Sequence, residues 1–179
     1  CFCPSSIVYY VGLIVFIKYL IKFIQCINRN YIREGYNLHD RYGKDSWVCV
    51  TGATAGIGLG ICKYAAAEKN LNVVLVGRNK EKLIKAEKEV KKANSKIKTK
   101  IYQFDFNDST ETSAYQKLSD DLKDLDISIF ISNAGVMHCN PFKESEPNSL
   151  TLEEIKEMNE TNVFGPSNLS KVFVERFDK

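Results

Sequence analysis

The chain has 179 residues, which suits one ordinary domain with an appendage. Its hydrophobic fraction of 44% and charged fraction of 26% are typical of a globular protein and argue against a disordered one. A net charge of +3 argues against a dedicated nucleic-acid binder. The six cysteines include no Cys-x-x-Cys pair and the two histidines are far apart, so the sequence predicts no metal site.

The chain begins with a long apolar run, IVYYVGLIVFIKYLIKFIQCI, at residues 7–27. As a helix this run would be about 31 Å long, and a bilayer has a hydrocarbon core of about 30 Å. We interpret it as a membrane-spanning anchor. Lys18 and Lys22 share one helical face, so a helix lying in the membrane interface is a second interpretation. A cleaved signal peptide is a third.

Basic residues and a polar segment follow this run. By the positive-inside rule, the basic residues place the following domain in the cytosol; they are Arg29, Arg33, Arg41 and Lys44. Residues 28–45 are polar and aperiodic, which is typical of a linker. The predicted organisation is therefore a membrane helix with a linker at 1–45 and a globular domain at 46–179.

Apolar patterns predict alternating strands and helices in the globular part. The predicted strands are 47–51, 72–76, 100–104 and 127–132, and the predicted helices are 58–69, 80–93, 110–122 and one that begins with a capping box of Thr151 and Glu154. This order predicts an α/β fold, a Rossmann-type doubly wound parallel sheet of which the first four strands are present. The fourth strand, ISIFIS, would present an unpaired apolar edge, so we expect the isolated domain to be poorly soluble.

The segment VCVTGATAGIGLG at 48–60 lies between the first predicted strand and a helix. Glycine at Gly52, Gly56 and Gly58 permits a tight turn and lets the backbone approach a pyrophosphate. The charge of that group would be held by N–H groups at the helix N-terminus. This context predicts a dinucleotide-binding loop.

Four motifs together resemble the short-chain dehydrogenase/reductase family over about residues 46–179. They are the cofactor loop TGATAGIG at 51–58, an acid that contacts adenine after the third strand, the element SNAG at 132–135 with Ser132 in place of the family's first Asn, and TNVFG at 161–165. The resemblance implies cofactor contacts at Thr51, Gly52, Thr54, Ala55, Gly56, Ile57, Gly58, Asp105, Asn133, Ala134 and Gly135. It also implies that Asn162 belongs to the catalytic tetrad and holds a water that relays protons. The alternative for Asn162 is a helix residue that bonds a neighbouring backbone.

Two features together resemble a membrane-bound branch of the family: the predicted membrane anchor and the sequence RYGKDSWVCVTGATAGIG…NVVLVGRNKEKL. That branch contains 17β-hydroxysteroid dehydrogenases and very-long-chain 3-oxoacyl-CoA reductases. The resemblance implies an oxidoreductase of the endoplasmic reticulum membrane that faces the cytosol and reduces a keto group on a long-chain 3-oxoacyl-CoA or a steroid. It implies an apolar substrate, and it is compatible with a homodimer of the complete protein. The expectation of no nucleic-acid partner rests on the net charge.

The end of the second predicted strand bears on the choice of cofactor. It reads Gly77-Arg78-Asn79 and has no carboxylate for the ribose 2′-hydroxyl of NAD. The guanidinium of Arg78 can pair with a 2′-phosphate, which favours NADP (NADPH) over NAD. The alternative is that Arg78 is a solvated residue that opens a helix.

The family's catalytic Tyr-x-x-x-Lys does not occur, since none of the nine tyrosines has a lysine four positions on. Asn162 is then the one tetrad member present, and we expect the chain to be the cofactor-binding half of the enzyme. A catalytically inactive nucleotide-binding or scaffold protein, or an incomplete gene model, is the alternative. His138 and Cys139 would need an orienting acid to act as a catalytic pair, so we interpret them as loop residues.

Overall fold

The computed structural model describes residues 4–33, 35, 38–107, 112–139, 141–142 and 149–177. The chain divides into two compact units, Cys1–Tyr36 and Asn37–Lys179. This division precedes the predicted boundary at 45/46 because helix α2 (Leu38–Tyr42) packs on the second unit. Leu38 lies against the core of that unit, and the Ser46 hydroxyl donates a hydrogen bond to the Tyr42 carbonyl.

The first unit contains one long helix. Helix α1 (Pro4–Ile27) continues as a π-helical turn at Asn28–Ile32. The side-chain amide of Asn30 donates to the Cys26 carbonyl, 2.9 Å away and one turn earlier. Helical residues Val8–Ile32 have a mean hydropathy of 1.8, and none of the most apolar window is buried. By length and composition, this helix is therefore able to cross a membrane.

The second unit is built on a parallel sheet. Its strands are β1 (Trp47–Thr51), β2 (Asn72–Gly77), β3 (Thr99–Gln103) and β4 (Ile127–Ile131), in the order β3-β2-β1-β4. Every residue of β1 and β2 is buried, whereas β4 is mostly half-buried and, among the described strands, pairs only with β1. The four predicted strands and their parallel arrangement are confirmed.

Helices cover both faces of this sheet. They are α3 (Gly56–Lys69), α4 (Lys80–Ala93), α5 (Thr112–Asp121), α6 (Leu152–Asn159) and α7 (Gly165–Phe177), with a π-helical turn at Glu160–Phe164 between the last two. Because side chains alternate along a strand, β1 sends Val48 and Val50 into a core with α3 and α4. Its Cys49 enters a second core with α5 and α7. The predicted doubly wound α/β fold is therefore correct; the start of the predicted helix at 110 lies outside the described residues.

This packing buries two cysteines, one in each core. Cys49 and Cys62 have no exposed surface and act as small buried hydrophobic residues. Burial raises the pKa of each thiol to about 12. Neither thiol is therefore suited to act as a nucleophile.

Candidate cofactor-binding site

The loop between β1 and α3 adopts backbone conformations that require glycine, as the sequence predicts. Gly52 has a φ of 65° and Gly56 a φ of 56°, both in the left-handed region that favours glycine. A Cβ on Gly52 would lie 2.8 Å from the Cα of Ala134, so this position is also too crowded for a side chain. Ala55, the N-cap of α3, provides no side-chain cap. The first amides of α3 are thus available to an anion.

Gly58 holds the first turn of α3 against this loop. A Cβ at Gly58 would collide with the Gly52 carbonyl oxygen and would lie 2.5 Å from Nδ2 of Asn133. At Gly56, in contrast, a Cβ would meet no atom within 4 Å. Gly58 is therefore needed for close packing and Gly56 for its backbone conformation, and the space above the loop is open. This shape fits the diphosphate of a dinucleotide.

Hydrogen bonds join the loop to the segment that follows β4. Oγ1 of Thr51 accepts from the backbone N–H of Asn133 at 2.9 Å and from that of Ala134 at 3.0 Å. Nδ2 of Asn133 donates to the Thr51 carbonyl at 3.0 Å. Thr51 is only 1% exposed. The strand order reverses between β1 and β4, the place where α/β sheets form a ligand crevice.

A cleft of about 430 Å³ opens at this edge of the sheet. Most of the residues predicted to bind the cofactor line it, namely Gly52, Thr54, Ala55, Ile57, Arg78, Asp105, Asn133, Ala134 and Gly135. The remaining three, Thr51, Gly56 and Gly58, shape the loop beneath it. The structure thus brings the predicted positions together, and their contacts with a cofactor stay predictions.

Some residues of the cleft were missed in the sequence analysis. They are Gly77, Asn79, Lys82, Phe104, Phe106, Val136 and Thr161. Phe104 and Phe106 are the sequence neighbours of the predicted residue Asp105, so their place in the cleft could have been predicted from that position. Thr161 comes from the π-helical turn and begins the TNVFG motif, so that motif could have identified it.

Arg78 lies at the mouth of the cleft, just after β2. Its backbone carbonyl accepts from Nε2 of Gln103 at 3.0 Å. Oδ1 of the next residue, Asn79, caps α4 by accepting from the Lys82 N–H at 2.9 Å. The Arg78 guanidinium is 2.7 Å from Oε1 of Glu157 in α6. Arg78 is exposed and pairs with a carboxylate of α6, a partner that was not predicted.

His138 extends this network of polar side chains. Its Nε2 lies 3.0 Å from Oε2 of Glu157, and its Nδ1 lies 3.4 Å from Oε1 of Glu154. The hydrogen bond with His138, followed by that with Arg78, lowers the pKa of the Glu157 carboxyl. The orienting acids that the sequence analysis did not find are therefore present. Because both ring nitrogens face carboxylates, neither is directed at Cys139, and the interpretation of these two residues as loop residues stands.

Asn162 lies in the π-helical turn between α6 and α7. Its Oδ1 accepts from the Val136 N–H at 2.9 Å, and its Nδ2 donates to the Val136 carbonyl at 2.7 Å. The non-catalytic interpretation of Asn162 predicts hydrogen bonds of this kind, between its side chain and a neighbouring backbone. They fix the segment after β4 against the helices, and π-helical turns are frequent at functional sites. The proton-relay role of Asn162 stays a prediction.

Comparison with known protein families decides the classification. The sequence profile described as short chain dehydrogenase matches residues 46–179, which include both walls of the cleft. The chain belongs to the short-chain dehydrogenase family. The resemblance inferred from four motifs is thereby confirmed.

Three similar proteins, one reductase and two dehydrogenases, are consistent with membership of this family. The chain is 37% identical over 139 residues to a very-long-chain 3-oxoacyl-CoA reductase of Coccidioides immitis, covering 76% of this chain and 39% of that protein. A solved 7β-hydroxysteroid dehydrogenase has a TM-score of 0.65 and 26% identity, covering 80% of this chain and 51% of that one. A short-chain dehydrogenase from Sphingobium yanoikuyae, solved in complex with NADPH, has a TM-score of 0.61 and 25% identity over 74% of this chain and 48% of that one. The chain thus spans about half the length, or less, of these relatives.

Proposed function

We propose that this chain is the dinucleotide-binding part of an NADP(H)-dependent reductase that acts on the keto group of a long-chain 3-oxoacyl-CoA. The observation that carries the proposal is the glycine loop at the reversal of strand order, with Arg78 and no carboxylate at the end of β2. In this assignment the amides at the start of α3 hold the diphosphate. Asp105 faces the adenine, and Arg78 holds the 2′-phosphate. The bound nicotinamide supplies the hydride.

The preference for NADP(H) is supported by the charges around the cleft. Arg78 and Lys82 both line it at the end of β2. The acidic residue that lines it, Asp105, follows β3 and not β2. A bidentate guanidinium recognises a phosphate well, whereas a hydroxyl gains little from it. The similar solved structure with bound NADPH agrees with this assignment.

Replacing Arg78 by alanine tests the cofactor assignment. We expect the full-length protein to bind NADPH more tightly than NADH, and Arg78→Ala to reduce that preference about tenfold or more, because hydrogen bonds between charged groups contribute about 1.5–3 kcal/mol. Isothermal titration with each cofactor measures both affinities. Lys85→Ala is the matched control, since Lys85 is an exposed cation of α4 outside the cleft. Equal affinities in the wild type, or a preference that Arg78→Ala leaves unchanged, would refute the assignment.

The choice of an acyl-CoA substrate is supported by the similar reductase of Coccidioides immitis. A steroid is the second candidate because of the similar hydroxysteroid dehydrogenase. Both substrates are apolar and suit a protein with a membrane helix. Oxidation of NADPH by the full-length protein with a long-chain 3-oxoacyl-CoA, and separately with a ketosteroid, distinguishes them.

We also propose that α1 anchors the protein in the endoplasmic reticulum membrane with the second unit in the cytosol. The length and composition of the helix support this, as do the basic residues after it. We therefore expect the three Asn-x-Ser/Thr sequons, at Asn107, Asn159 and Asn168, to carry no glycan. Endoglycosidase treatment of the microsomal protein should leave its mass unchanged. A glycan on any of the three would place the domain in the lumen.

A further inference from the structure

The ion pair between Arg78 and Glu157 joins two walls of the cleft. Arg78 follows β2, and Glu157 lies in α6, one turn before the cleft residue Thr161. The two side chains are 79 positions apart in the chain, and their charged atoms are 2.7 Å apart. The guanidinium that the proposed function assigns to a phosphate is therefore held by a carboxylate in this structure.

Glu157 is the fixed member of this pair. Its side chain is 18% exposed, against 61% for Arg78, and its second oxygen is held by Nε2 of His138 at 3.0 Å. Besides Glu157, the described residues hold Arg78 through its backbone carbonyl, which accepts from Gln103. Its long side chain can leave the carboxylate without any rearrangement of β2 or of α6.

We propose that Glu157 acts as a latch on Arg78 that competes with the 2′-phosphate of the cofactor, an inference that rests on the proposed function. A 2′-phosphate that pairs with Arg78 must first separate it from Glu157. The new ion pair then replaces the one that is lost. Glu157 therefore lowers the affinity for ligands that carry a 2′-phosphate, NADPH among them. A ligand with a 2′-hydroxyl does not need Arg78, so its affinity does not depend on Glu157.

The test is the binding of ligands to the Glu157→Gln variant of the full-length protein. This change keeps the shape of the side chain and its capacity to bond His138, and it removes the charge that holds Arg78. We expect affinities for NADPH and for the fragment 2′-AMP to rise about two- to tenfold, the range of a partly exposed ion pair. Glu157→Ala should change them in the same direction. Isothermal titration gives the affinities, and a thermal melt shows that each variant is folded.

Two matched variants make the result specific. Glu153→Gln removes the same charge from the exposed first turn of α6 and should change neither affinity. In an Arg78→Ala background, Glu157→Gln should no longer raise the affinity, because the latch acts through Arg78. Unchanged or weaker binding by both Glu157 variants, or a gain that persists without Arg78, would overturn the inference and leave the proposed function standing. Failure of the wild type to bind any dinucleotide would overturn both.

Discussion

Gly58→Ala is expected to abolish measurable dinucleotide binding and to destabilise the domain by about 1–3 kcal/mol, the usual range for overpacking. The added methyl group would collide with the Gly52 carbonyl oxygen and with Nδ2 of Asn133. Gly52 belongs to the glycine loop, and Asn133 belongs to the segment that is hydrogen-bonded to it. The collision can therefore be relieved only by opening the loop or by shifting α3. Titration with NADPH and urea denaturation of the same preparations measure the two effects.

Gly60→Ala is the control for this prediction. Gly60 lies in α3 two positions after Gly58, on an exposed face, and a Cβ there would meet no atom within 4 Å. Alanine favours a helix interior over glycine by about 1 kcal/mol, so this variant should be slightly more stable and should bind NADPH normally. Similar effects of the two substitutions would mean that Gly58 is an ordinary helical residue.

Thr51→Val is expected to destabilise the domain by about 2–4 kcal/mol and to weaken NADPH binding. Valine has nearly the shape of threonine, but it leaves the N–H groups of Asn133 and Ala134 without their acceptor. An unsatisfied buried donor costs about 1–3 kcal/mol. The midpoint of urea denaturation reports the loss of stability. Amide exchange at residues 133–135 should become faster.

Thr51→Ser separates the hydroxyl from the methyl group. Serine keeps the acceptor oxygen and removes one methyl group, which costs about 1 kcal/mol when buried. Thr51→Ser should therefore be clearly more stable than Thr51→Val and should retain its affinity for NADPH. If valine were tolerated as well as serine, the hydrogen bonds of Thr51 would not hold the two parts of the site together.

Local patterns were sufficient to predict the strands, the helices and their alternation along the chain. The apolar runs of β1 and β2, the amphipathic spacing of α4 and the capping box at Thr151 and Glu154 each depend on neighbours within a few residues. In the structure Oγ1 of Thr151 accepts from the Glu154 N–H at 3.1 Å, and Glu154 accepts from the Thr151 N–H at 2.8 Å. The order of the strands, β3-β2-β1-β4, depends on tertiary packing, which local propensity alone does not fix.

Long-range pairs of polar side chains could not be predicted in the same way. The contact of Arg78 with Glu157 depends on where α6 lies over the cleft. The stretch between His138 and the start of α6 contains residues outside the described part of the chain, and no periodic pattern there fixes the direction of the helix. The same holds for the hydrogen bonds of Asn162 with Val136. Such contacts follow from tertiary packing, and the sequence identified the residues without their partners.

Amide hydrogen exchange in the presence and absence of NADPH tests the central claim most directly. If the loop after β1 holds the diphosphate, saturating NADPH should slow exchange in peptides that cover residues 52–59, at the start of α3, and in those that cover 133–136. Peptides that cover residues 85–93 of α4, outside the cleft, should be unchanged. Protection confined to other parts of the chain, at a concentration where NADPH is bound, would contradict the assignment of the glycine loop as the cofactor site.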